Sequence, residues 1–134
     1  MSLPRFLVVG DDPLRETLSP LLQHYHAALE WVSRAAEALA RLRSNSYELA
    51  LAGPGANGAD PLKLLRRLHT VRPDLKVIVT GEANPARALD AIRSRAYGYL
   101  HLPVSRVHAA EMVQQALDSV GWRDDIRVTS ARPE

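Results

Sequence analysis

An open, doubly wound α/β sheet is the fold predicted for this chain, and three observations carry it. Short apolar runs alternate five times with segments of helical spacing. The runs, residues 6–9, 29–32, 49–52, 77–80 and 98–100, are mostly apolar on both faces, as expected of parallel strands covered by helices on either side. The length of 134 residues suits one domain with one sizeable core, not two. Strands joined through helices in this way cross over with a right hand. Such sheets carry their functional groups beyond the carboxyl ends of the strands, at the switch point.

The first strand ends in Gly10, Asp11 and Asp12. Asp12-Pro13 opens the first helix as a capping side chain followed by proline at the first helical position. Leu14, Leu18, Leu21, Leu22 and Tyr25 then form one apolar stripe. Pro20 sits deep in that helix, where a lost hydrogen bond costs about 3 kcal/mol, and predicts a kink. The third strand runs into Gly53 and a loop with three glycines over residues 53–58. That loop lacks the Gly-Lys-Ser/Thr of a phosphate cradle and reads as a flexible connection. Asp60-Pro61 opens the next helix, with Leu62, Leu64, Leu65 and Leu68 on its apolar face.

The fourth strand ends in the hydroxyl of Thr80, and Asn84-Pro85 caps a helix whose apolar face is Ala88, Leu89, Ala91 and Ile92. The fifth strand leads through His101 and Leu102 to Pro103. The last helix puts Ala109, Met112, Val113, Ala116, Leu117 and Val120 on one face, with Gly121 as its C-cap. Residues 1–122 therefore form the domain. Residues 123–134 read as a tail toward a further domain, with a strand-like restart at 126–129.

Apolar content of 46% and charged content of 24% are ordinary for a globular protein. A net charge of +2, with 15 arginines scattered along the chain, does not make a nucleic-acid stripe. Zero cysteines exclude disulfides and thiol chemistry. No apolar run approaches the roughly 18 residues that span a membrane, and the first residues lack a signal-peptide pattern. A cytoplasmic location is expected. His24 and His26 are joined by no cysteine or carboxylate as a metal set. His69, His101 and His108 read as solvated, and no Gly-x-Ser-x-Gly elbow is present. Arg66-Arg67, Arg93 and Arg95 read as solvated helix faces.

Taken together, the strand ends resemble the receiver domains of bacterial response regulators, over residues 5–120. The resemblance implies a flavodoxin-like (βα)5 sheet in strand order 2-1-3-4-5 and a cis bond before Pro103. In that family, two acids after the first strand and one after the third hold Mg2+, and the third-strand aspartate takes the phosphoryl group. A hydroxyl after the fourth strand, an aromatic in the fifth and a lysine before the proline complete the set. Here Gly10 stands at the first acidic position, Asp11 at the second, and Asp12 is a third acid placed to cap the helix. Gly53 replaces the phosphoacceptor and Leu102 replaces the lysine, while Thr80, Tyr99 and Pro103 match.

Glycine has no nucleophile to phosphorylate. One remaining acid is too little for a hard ion such as Mg2+, so weak or absent metal binding and no other cofactor are expected. Leucine cannot neutralise transition-state charge. Asp60, seven residues beyond Gly53, is expected to point away from this pocket. The resemblance thus implies a pseudo-receiver: a non-enzymatic, phosphorylation-independent module of two-component signalling. Its docking face would comprise residues 85–95, 97–100 and 105–120, with Thr80 and Tyr99 as its switch residues and Arg87, Arg93, Arg95 and Arg106 as polar contacts. The partners expected there are a signalling protein, a fused output domain or a second copy of the chain, with neither membrane nor direct nucleic-acid contact. A small-ligand binder or enzyme on the same flavodoxin-like architecture is the alternative.

Overall fold

A computed structural model describes residues 4–23, 25, 27–54 and 60–119. Five strands, β1 (Arg5–Val9), β2 (Ala28–Val32), β3 (Leu49–Ala52), β4 (Val77–Gly81) and β5 (Gly98–His101), alternate with five helices. The helices are α1 (Asp12–Gln23), α2 (Ala35–Ser44), α3 (Pro61–Val71), α4 (Pro85–Arg93) and α5 (Arg106–Ser119). The strands pair in parallel in the order β2-β1-β3-β4-β5. Each strand starts and stops within one residue of the apolar run that predicts it.

Strand alternation sorts the core into two layers. Leu7 and Val9 face the layer shared with Leu39 and Leu42 of α2 and Leu62, Leu65 and Leu68 of α3. Phe6 and Val8 face the opposite layer, with Leu14, Leu18 and Leu22 of α1 and Ala109, Val113 and Leu117 of α5. Each large apolar side chain so enclosed contributes roughly 1.5–3 kcal/mol relative to exposure. Strands β3 and β4, in the middle of the sheet, are buried along their whole length.

Caps fix where the helices begin, and hence where the loops above the sheet lie. The Asp60 carboxylate accepts the Leu62 amide at 3.0 Å, and Asn84 accepts the amides of Ala86 and Arg87 at 2.9 and 3.3 Å. Both are followed by proline at the helix start, as read from the sequence. At α1 the assignment shifts by one residue. Asp11, not Asp12, is the cap: its carboxylate accepts the Leu14 amide at 3.1 Å, and its carbonyl accepts from Arg15 at 3.0 Å. Asp12 is the first helical residue and exposed. Helix α1 carries Pro20 and continues to Gln23. The Leu102–Pro103 bond is cis.

Two other expectations change. In α4 only Ala91 is buried, while Leu89 and Ile92 are 49% and 51% exposed. That apolar stripe is real, but half of it looks outward, because a nine-residue helix seated on one alanine buries little else. His69 is not simply solvated: its Nε2 lies 3.0 Å from the Leu75 carbonyl in a half-buried position. His101 and His108 are exposed as expected. His24, His26, Val120, Gly121 and the tail 123–134 lie outside the described residues.

Candidate functional site

The carboxyl ends of β1, β3, β4 and β5 bring Gly10, Asp11, Gly53, Thr80 and Leu102 to one end of the sheet. The ladder between β1 and β3 continues past the strands, with the Gly53 amide on the Val9 carbonyl at 2.8 Å and the Asp11 amide on the Pro54 carbonyl at 2.9 Å. A Cβ added at Gly53 would lie 2.2 Å from Leu14 Cδ2 and 2.5 Å from Thr80 Oγ1. A Cβ at Gly10 would lie 2.5 Å from the same Leu14 methyl. One leucine from the first turn of α1 therefore fills the space that side chains at both glycine positions would need.

Leu14 is the residue that sequence reading placed in the core stripe without seeing its second role. The signal was present: two strands ending in glycine at the same end of a sheet leave room that a neighbouring side chain must fill. Thr80, beside it, is fully buried, and its Oγ1 has no hydrogen-bond partner among the described residues. A buried hydroxyl in that state costs on the order of 1–3 kcal/mol.

Two cavities flank Leu102. One, of about 420 Å3, is lined by Asp11, Pro13, Leu14, Thr17, Pro54, Leu102 and Pro103. One oxygen of the Asp11 carboxylate already serves the Leu14 amide. Hard divalent ions need several carboxylate or carbonyl oxygens, and among the described residues Asp11 is the one carboxylate lining this cavity.

The second cavity, of about 520 Å3, is bounded by Pro54, Asp60, Gly81, Glu82, Arg87 and Leu102, among others. Asp60 lines this cavity and not the one that holds Asp11, at the same end of the sheet. There it pairs with Arg87 at 2.6 Å while still capping α3. Burial works against its charged form, but the Arg87 guanidinium and the Leu62 amide outweigh it and hold the carboxyl below its ordinary value.

Tyr99 donates its hydroxyl to the Glu82 carbonyl at 2.7 Å, and burial pushes its pKa up against the opposing pull of Arg87. Arg87 is accordingly engaged and half-buried rather than a free surface cation. Arg95 is exposed at the other end of α4, in the turn entering β5, and Arg106 is exposed at the start of α5. Arg87 and Arg95 therefore sit at opposite ends of α4. That face also exposes apolar side chains: Leu89, Ile92 and Val107, the last at 70%.

A parallel sheet in this strand order, with an acid after β1, a hydroxyl closing β4, an aromatic in β5 and a cis proline after it, defines a receiver-type domain. Comparison with known proteins agrees: in fold and in sequence the chain is similar to response-regulator receiver domains. It is 27% identical to a CheY-like response regulator receiver domain protein from Methanospirillum hungatei JF-1. That match has a TM-score of 0.77 and covers 88% of this chain and 96% of the other. The signal receiver domain of an HD domain-containing protein from Pseudomonas fluorescens Pf-5 shares the fold, with a TM-score of 0.79 at 24% identity over 89% and 90% of the two chains.

Among curated proteins, the chain is 30% identical over 112 residues to the C4-dicarboxylate transport transcriptional regulatory protein DctD of Rhizobium meliloti (strain 1021). The match takes in 83% of this chain and spans about a quarter of the length of that relative, 24%. No family model matches the chain. Among the described residues, no helix is long and apolar enough to cross a membrane.

Proposed function

We propose that this receiver domain works without aspartyl phosphorylation, as a cytoplasmic regulatory and protein-interaction module of two-component signalling. The observation that carries this reading is the Gly53 position, which offers no carboxylate and whose space is taken by Leu14 and Thr80. Phosphoryl transfer needs a nucleophile held in line with the donor, and neither is supplied there. Leu102 in place of a cation and the single Asp11 carboxylate support the same reading, with weak or absent Mg2+ binding. Incubation with acetyl phosphate and millimolar Mg2+, read by intact mass, should leave the protein unmodified. An acyl phosphate on any aspartate would overturn the reading. Gly53→Asp alone should label weakly, and measurable labelling should need Gly10→Asp and Leu102→Lys as well.

The output then resides in α4, β5 and α5. Without a phosphate to shift its population, this face responds only to a partner that prefers one of its states. Exposed Leu89, Ile92 and Val107, with Arg93 and Arg106 exposed beside them, fit a signalling protein or fused output domain. In the longer DctD, the matching segment is one part of a transcriptional regulatory protein. Direct nucleic-acid binding by this domain is not part of the reading. Leu89→Asp with Ile92→Asp should abolish partner binding or self-association while leaving the fold intact.

The two cavities beside Leu102 favour a second reading, a small-ligand site at the switch point. If Leu102→Trp abolishes partner binding while the α4 variant retains it, that reading takes the place of the first.

A further inference from the structure

A further cavity lies at the opposite end of the sheet from the degenerate pocket. It is an open groove of about 680 Å3, walled by His69, Asp74 and Lys76 before β4, Arg95 and Tyr97 before β5, and Ser119 at the end of α5. Its volume falls within the roughly 300–1,000 Å3 of ligand-binding clefts. We infer that this groove recognises a short acidic peptide segment of a partner protein, with Arg95 and Lys76 receiving its carboxylates.

The first support is a residue in an unfavourable conformation. Helix α4 ends with the Ala96 amide on the Ala91 carbonyl at 2.9 Å and the Arg95 amide on the Ile92 carbonyl at 3.0 Å. This is the pattern that places the residue after the helix in the left-handed region, where glycine is favoured. The chain puts an arginine there, at φ 72, in a backbone conformation that a side chain resists. Those two bonds close the helix, and glycine would close it at less cost; the Arg95 side chain is exposed and takes part in no ion pair among the described residues. Strain retained at an exposed cation points to use.

The second support is electrostatic. Arg95 and Lys76, like most basic residues of the chain, pair with no carboxylate among the described residues; what sets these two apart is that both line one groove. The Lys76 ammonium lies 6.0 Å from the centre of the Tyr97 ring, which holds it over the groove. His69 is held against the Leu75 carbonyl on the same wall. Two cations thus face one acid, the exposed Asp74.

The guanidinium fork suits a carboxylate bidentately, and the ammonium serves as a second point charge. The groove is far larger than a single anion, and the cations come from two separate connections, which fits carboxylates spaced along a peptide. Asp74 on the wall disfavours a continuous polyphosphate backbone.

A fluorescent hexaglutamate peptide, titrated by anisotropy at low salt, tests the assignment on the full chain. Wild type should bind, with affinity falling as salt is raised. Arg95→Gly and Lys76→Gln should each weaken binding at least about tenfold. Arg95→Gly should also melt no lower than wild type, because glycine suits the backbone there. Failure of wild type to bind at millimolar peptide overturns the inference. So does Arg95→Gly binding like wild type, or losing binding only together with a lower melting temperature, since the arginine would then be structural. Citrate competing as well as the peptide would assign the groove to small anions and overturn the peptide.

Discussion

On the β2 edge of the sheet, the Glu30 carboxylate accepts hydrogen bonds from Arg5, Arg41 and Tyr47. At the end of β4, Thr80 carries a hydroxyl that accepts and donates none among the described residues. Both are polar groups set among carbon, but only one has its partners. The Tyr47 hydrogen bond leads in holding the Glu30 carboxyl below its ordinary value, against partial burial and with help from the two arginines. Burial, reinforced by Glu30, pushes the Tyr47 hydroxyl up to about 12. Where the polar set is complete, each member stabilises the others. At Thr80, the neighbouring positions Gly53 and Leu14 present no polar side chain to pair with it, and the hydroxyl remains as a local cost.

The sharpest break between the two regions comes from adding back a side chain. Gly53→Asp should destabilise the protein by about 2–3 kcal/mol, through overpacking against Leu14 and an acid buried without a cation. Urea unfolding of Gly53→Asp, Leu14→Ala and the double variant gives a cycle in which the pair is better together by about 1 kcal/mol or more. Strict additivity would mean that Leu14 does not occupy that space.

Next, Tyr47→Phe should cost about 1 kcal/mol, because it removes a hydrogen bond from a half-buried carboxylate. Thr80→Val, by the same chemistry applied to an unpartnered hydroxyl, should be neutral or stabilise by up to about 1 kcal/mol. Equal losses in the two variants would erase the distinction drawn between them.

The smallest effect is on pH dependence. A tyrosine whose folded value is raised contributes stability below its ordinary value of 10.0, and loses that contribution as pH rises toward about 12. A carboxyl whose folded value is lowered contributes above 4.5 and loses that contribution as pH falls through its folded value. Melting temperatures should therefore sag at both extremes, and Tyr47→Phe should flatten the alkaline arm. An unchanged alkaline arm would remove Tyr47 from the account.

The strands were legible because β3 and β4 are buried on both faces, so apolar runs alone mark them. Two caps were legible because Asp60 and Asn84 are each followed by proline. At α1 two acids stand side by side with the same chemistry, and only the backbone decides that Asp11 is the cap. Leu14 illustrates a deeper limit. Spacing places it on the buried face of α1, but its contact with Gly10 and Gly53 is made across three elements. Leu89 and Ile92 show the converse, a correct apolar stripe whose direction depends on how shallowly α4 sits. The pairing of Asp60 with Arg87, 27 residues apart, has no periodicity to announce it.

That pairing makes one oxygen, Asp60 Oδ1, the terminus of two helices. It accepts the Leu62 amide of α3 and the guanidinium carried by the first turn of α4. The two starts are thus tied like two ropes to a single cleat. A partner that draws α4 outward by more than the length of a hydrogen bond removes the cation and leaves the carboxylate to α3 alone. A pull applied to one helix is then felt at the root of the other, through a joint with no phosphate in it.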